Sequence, residues 1–196
     1  MKLLKIRMDL VRPRCNLTTA VLKAINGQNL EVKDGDILAL ASKAVATAEN
    51  RIRKLISLKP SKIAEKMAAR FGLDPRFTEF VLLEADHVYW GVSKALLTQK
   101  NNILIPNAGV DQKNAPEDCV ILWPTNPDRA AEKIRNEVQK RTGKHIGVLI
   151  VDSRVTPLRS GTTGIAIGLA GFEPIKDYRT KKDTRQKHSD NNPRYR

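Results

Sequence analysis

Two aspartates in this chain stand just past apolar runs, and each is followed by a neutral oxygen donor. Asp111 lies in IPNAGVDQKN (Ile105–Asn114), with the small pair Ala108–Gly109 before it and Asn114 after it. Asp152 follows IGVLIV (Ile146–Val151) and precedes Ser153. Paired carboxylates with a neutral oxygen suit a hard cation, Mg²⁺ or Mn²⁺, whose remaining ligands are water and phosphate. The pairing requires that the two strands share a sheet and release both acids at one end. Ser42-Lys43 adds a hydroxyl and an ammonium where the buried run DILALA (Asp36–Ala41) ends, which is where α/β sheets bind ligands. Arg14, in RPRCN (Arg12–Asn16) ahead of a helix start, could meet a phosphate. A cation would neutralise phosphate charge, with Lys43 and Arg14 supplying the rest. Each feature also has an ordinary alternative. The aspartate turn can be only a turn. Ser42 can be a helix cap with Lys43 reaching to the surface, and Arg12–Asn16 can be a basic surface loop.

Known nucleotide motifs are absent. The stretch RSGTTGIAIGLAG (Arg159–Gly171) has glycines at 161, 164, 168 and 171, a backbone able to approach a ligand closely, but lacks the dinucleotide spacing. Gly143-Lys144 is no phosphate loop, because Val138 stands in place of the first glycine and His145 in place of Ser/Thr.

The elements that must hold these residues alternate between strands and helices. Strands are expected at Leu3–Met8, Asp36–Ala41, Val92–Leu97, Asn102–Ile105, Cys119–Trp123 and Ile146–Val151, with Thr98–Asn101 as a turn. Helices are expected at Leu17–Ile25, Ala44–Ile56, Ser61–Phe71, Pro75–Ala85 and Pro127–Arg141. Ser61, Asp74 and Asn126 are their capping residues, and Gly72 and Gly143 their stops. The fold class is α+β: a mixed sheet with packed helices.

The 196 residues suffice for one core with an appendage. No run reaches the ~18 apolar residues of a membrane span. The N-terminus alternates apolar and basic residues, unlike a signal peptide. Cys15 and Cys119 lack metal-type spacing and read as free thiols of a reducing cytosol. The net charge is +14, of which Pro174–Arg196 carries +5, leaving a body of +9 suited to anionic ligands. Aromatics are 5% of the chain and no nucleic-acid module is recognisable, so nucleic acid is not the expected partner.

Taken together, ASKAVATAENR (Ala41–Arg51), the KPSKIAEKMA stretch near Pro60, IPNAGVDQKN, LWPTNPDRAAEKIR (Leu122–Arg135) and VDSRVTPLRSGTTGIAIGLAG (Val151–Gly171) resemble the coenzyme F-420 γ-glutamyl ligase family. That family attaches glutamate to a phospholactyl deazaflavin using GTP. The resemblance runs from about Arg12 to Asp183 and implies the N-terminal part of that ligase fold. It implies a divalent metal, Mg²⁺ or Mn²⁺, on Asp111, Asp152 and Ser153. It implies nucleotide contacts from Pro13, Arg14, Cys15 and Asn16, from Ser42, Lys43 and Thr47, and from Asn114. Asp111, Asp152 and Lys43 are the residues implied to carry the chemistry. In that chemistry an acceptor carboxylate takes the γ-phosphoryl group, and the amine of L-glutamate displaces phosphate. A homodimer is implied. Folate or peptide acceptors remain alternatives to the deazaflavin.

Family members continue past this chain's end into a part with another metal ligand and a nucleotide loop. Their DYRG-type motif reads Asp177-Tyr178-Arg179-Thr180 here. The expected organisation is a ligase-like domain over 1–179 and a disordered basic tail over 180–196. The alternatives to a ligase are a non-catalytic nucleotide- or polyanion-binding remnant and a basic RNA-binding module.

Overall fold

The structure, a computed structural model, describes residues 2–113, 115–156 and 158–178. The expected tail boundary at 179, Arg179–Thr180, Asn114 and residues 180–196 lie outside the described residues.

The fold is α+β, as expected. A three-stranded sheet has the order β1-β7-β8, where β1 is Ile37–Ala41, β7 is Gly147–Arg154 and β8 is Thr163–Ala170. β1 and β7 run parallel, with Ala41 opposite Val151, and β8 is antiparallel to β7. Helix α1 (Leu17–Asn26) packs on α5 (Pro127–Thr142), and α5 lies on β7 and β8. The apolar stripe of α5, Ala131, Ile134 and Val138, meets Val148, Ile150 and Ile167 of the sheet in one buried cluster.

A second cluster lies under α3 (Lys62–Phe71) and α4 (Pro75–Glu84), where Phe77, Phe80 and Val81 meet Leu96, Ala108 and Val110. This half contains the sheet β3-β4-β5 (His87–Val92, Ala95–Lys100, Ile103–Pro106) and the antiparallel pair β2 (Ile52–Lys54) and β6 (Cys119–Ile121). Ser61, Asp74 and Asn126 cap α3, α4 and α5 through their side chains, and Gly72 and Gly143 end α3 and α5 in the left-handed region, as their types predict. No helix among the described residues is long and apolar enough to cross a membrane.

Four expectations are corrected. Leu3–Met8 forms no strand; the backbone of Arg7 bonds instead to the Gln28 side chain, which both accepts from its N–H and donates to its C=O. The helix expected at Ala44–Ile56 is α2 (Ser42–Ala48) only. Asn50 takes φ +57, outside any helix, and Ile52–Lys54 then pairs with β6. Thr98–Lys100 belongs to β4 rather than to a turn, because Asn101 and Asn102 make a two-residue turn with φ +50 and +60, the combination a tight hairpin needs. His87–Val92 is an added strand, paired with β4.

The glycine-rich stretch is the most instructive case. Most of it is β8, and the close neighbour of Gly168 is the helix α5, not a ligand. A Cβ at Gly168 would lie 2.6 Å from the Pro127 carbonyl oxygen, whereas one at Gly164 meets only Val151 Cγ1 at 3.6 Å. Gly168→Ala is therefore expected to destabilise the protein by about 1–3 kcal/mol in urea unfolding. Gly164→Ala should stay within about 0.5 kcal/mol.

Candidate functional site

The parallel register of β1 and β7 builds one wall of a cavity of about 260 Å³. Ala41 pairs with Val151, so Ser42, where the chain leaves β1, and Asp152 on the neighbouring β7 follow that pair at the same end of the parallel ladder. Ser42, Lys43, Asp152, Ser153 and Arg154 line this cavity. Asp152 itself lies within β7, which extends to Arg154 by pairing with β8 (Asp152 opposite Ile165, Ser153 opposite Gly164).

Asp111 arrives by another route. The strand that precedes it, β5, belongs to the β3-β4-β5 sheet, so the expected shared sheet does not exist. The two acids nevertheless line the same cavity. Asp111 forms an antiparallel bridge with Ile121: its N–H donates to Ile121 O at 3.0 Å, and its C=O accepts from Ile121 N–H at 2.8 Å. Two residues on, Trp123 donates its indole N–H to Asp152 Oδ2. Residues 121 and 123 therefore pin one acid each.

The turn before Asp111 is left-handed for three residues, with φ +53, +51 and +74 at Asn107, Ala108 and Gly109. Such a run is unfavourable for the first two residues and is held by specific partners. Asn107 Oδ1 accepts from Leu96 N–H at 2.8 Å. Thr98, fully buried, accepts from Ala108 N–H at 2.7 Å and donates to Ile105 O. Gly109 sits against the Trp123 indole so closely that a Cβ there would overlap the ring. Trp123 is 2% exposed, and its carbonyl accepts from Arg51 Nε at 2.9 Å. Arg51 is in turn fixed by both oxygens of Glu84, to which Lys100 also binds.

Both acids are partly engaged. Asp111 Oδ2 is ion-paired with Lys43, and its Oδ1 accepts from Lys113 N–H at 2.7 Å. Asp152 Oδ1 accepts from Ser153 N–H at 2.8 Å. Among the described residues no three His, Cys, Asp or Glu side chains cluster as a metal cage. The two carboxylates fit a Mg²⁺-like ion that keeps water and phosphate ligands, the usual case for that cation, and Ser153 in the same lining offers a further oxygen. The ammonium already at Asp111 shows that this carboxylate receives positive charge. A second cavity, about 290 Å³, shares Asn107, Val110 and Asp111 with the first.

The remaining residues singled out from the sequence form a separate group. Pro13 and Arg14 make an exposed turn; Arg14 has φ +61, and its N–H donates to Ala48 O at the far end of α2, next to half-buried Thr47. Four residues of helix, roughly 6 Å of rise, separate Thr47 from Lys43. The Asn16 side chain is committed to structure: Oδ1 caps α1 through Thr19 N–H, and Nδ2 donates to Glu137 Oε1 at 2.8 Å. Burial pushes the Glu137 carboxyl up, but hydrogen bonds from Asn16 and Thr18 and the Arg141 charge outweigh it and hold it below the ordinary range. Cys15 is half-buried and Cys119 buried, both as free thiols. Asn114 lies outside the described residues.

Comparison with known proteins decides the family. The F420-0:gamma-glutamyl ligase family description matches residues 5–194. The chain belongs to this family. The match continues past Asp183 into the basic tail. Among its relatives is a coenzyme F420:L-glutamate ligase of Methanopyrus kandleri, 34% identical over 174 residues, which cover 88% of this chain and 67% of the relative. That of Archaeoglobus fulgidus is 36% identical over 83% of this chain and 65% of its own length, and that of Methanothermobacter thermautotrophicus 32% over 90% and 70%. The chain thus spans about two thirds of the length of the curated relatives it matches.

Trp123 and Arg154 were not anticipated as site residues. A signal existed for Arg154: strand side chains alternate, so 152 and 154 face the same way. Gly109→Ala is expected to destabilise the protein by about 1–3 kcal/mol, measured in urea, and to change tryptophan fluorescence, since the added methyl displaces the indole.

Proposed function

We propose that the cavity is the metal and nucleotide-phosphate site of a GTP-dependent γ-glutamyl ligase. The reaction joins L-glutamate to a carboxylate acceptor, the deazaflavin coenzyme F-420 precursor or a related anion. The observation that carries this reading is the convergence of Asp111, Asp152 and Lys43, from three separate segments, on one cavity in a chain of this family.

Asp111, Asp152 and Ser153 would hold Mg²⁺ or Mn²⁺, which when bound neutralises phosphate charge. With a cation held by Asp111, the Lys43 ammonium would be available to a phosphate oxygen. Ser42, buried at the end of β1, adds a hydroxyl to the same wall. The turn of Pro13–Asn16 with Thr47 lies at the far end of α2, where the rest of a nucleotide extends. An oxygen of the acceptor carboxylate bonds to the γ-phosphorus as the bond to the diphosphate leaving group breaks, giving an acyl phosphate. The glutamate amine then attacks that carbonyl, phosphate leaves, and the amine proton is lost to solvent. A homodimer in the cytosol completes the reading, supported by the family resemblance and by the two free thiols.

Calorimetry with GTP in the presence of Mg²⁺ tests the site. The Asp111→Asn/Asp152→Asn double variant should lose metal-dependent affinity by more than about 100-fold. Incorporation of labelled glutamate into the deazaflavin acceptor, read by mass spectrometry, tests the chemistry. Metal-dependent GTP binding that survives in the double variant contradicts the assignment. Binding of RNA that falls steeply with salt, without glutamate incorporation, would favour an RNA-binding role instead.

A further inference from the structure

Arg154 lines the cavity two residues beyond Asp152 on the same strand. Its Nη1 donates to Leu104 O at 3.3 Å, tying the end of β7 to β5. Its Nε is buried and has no hydrogen-bond partner among the described residues, and no other buried side-chain nitrogen or oxygen among them is in that position. A guanidinium cannot shed its charge to relieve such a donor. A buried N–H left unmade is costly, so it persists where a partner arrives from elsewhere.

The other charged groups facing this cavity do not supply that partner. Lys43 and Asp111 are paired with each other. Asp152 is held by the Trp123 and Ser153 N–H groups, and neither acid makes an ion pair with Arg154. If a cation takes the two carboxylates, Arg154 remains an uncompensated positive charge on the same wall. The Nε edge of a guanidinium matches the spacing of two oxygens on one carbon or phosphorus.

We propose that Arg154 is an oxyanion receptor of this cavity, its guanidinium turning on binding so that the Nε–H left without a partner meets a carboxylate or phosphoryl oxygen of a co-substrate. The assignment rests on the ligase reading only for which anions are supplied; the donor and the cavity are independent of it. The role is binding and orientation, distinct from that of Lys43, whose ammonium is occupied by Asp111 until a cation replaces it.

The test follows the Arg154 Nε–H signal directly by ¹⁵N–¹H NMR of the full chain, with the signal identified by its loss in Arg154→Lys. One arm titrates L-glutamate and the other inorganic phosphate. A shift of this signal with slowed solvent exchange is the expected result. Response to glutamate assigns a carboxylate, response to phosphate a phosphoryl group, and response to both a general oxyanion site. Arg154→Lys should weaken binding of the responding anion by about tenfold, as loss of one charge-assisted hydrogen bond predicts. A signal unmoved by either anion overturns the proposal. None of these outcomes requires turnover: a responsive Arg154 in a chain without ligase activity sinks the ligase reading alone, and an unresponsive one in an active ligase sinks this inference alone.

Discussion

The face of the Trp123 indole lies on Gly109, and its N–H ends on Asp152. This contact joins the two halves of the molecule at the site. Leu122 belongs to the apolar cluster under α3 and α4, and its neighbour Trp123 to the cluster under α1 and α5. The short extended segment from Cys119 to Trp123 therefore borders both cores, and the two acids hang from it. Glycine is required at 109 for two independent reasons: the backbone is left-handed there, and the ring leaves no room for a methyl group.

Everything around that contact holds it in place. Arg51 fixes the Trp123 carbonyl, and its own charge is met by Glu84, which also takes Lys100. These groups are mostly buried, so removing one partner would leave an uncompensated charge. On the other side, Thr98 and Asn107 satisfy the backbone of the left-handed turn. The β1–β7 register then brings Ser42 and Lys43 to the same place. A flexible lysine meets an acid whose backbone is bridged to a strand, so Lys43 is the member of that pair free to move when another cation arrives.

Much of this was legible in the sequence, for identifiable reasons. Helix ends were read from caps and stops because Asp74-Pro75, Asn126-Pro127, Gly72 and Gly143 act locally. The carboxylates and Lys43 were found because each stands where an apolar run ends. What stayed hidden was long-range. The sharing of a cavity by Asp111 and Asp152 depends on a bridge to Ile121 and on an indole, not on a common sheet. The early end of α2 is set by Asn50 and by the pairing of Ile52–Lys54 with β6, which helical periodicity cannot reveal. The glycines of Thr163–Ala170 looked like a ligand loop because sequence shows that a backbone can be approached but not by what. At Gly168 it is helix α5. Asn16, which the resemblance implies as a nucleotide contact, also caps α1 with its side chain, a common role for an asparagine before a helix.

The central claim is that Asp111 and Asp152 share one cation. Crystals grown with Mn²⁺ and GTP, measured at the manganese absorption edge, test it most directly. The account predicts one anomalous peak within bonding distance of a carboxylate oxygen from each aspartate, with the Lys43 ammonium moved off Asp111. A manganese peak bound to neither or to only one of them, with the Lys43–Asp111 pair intact, would contradict it.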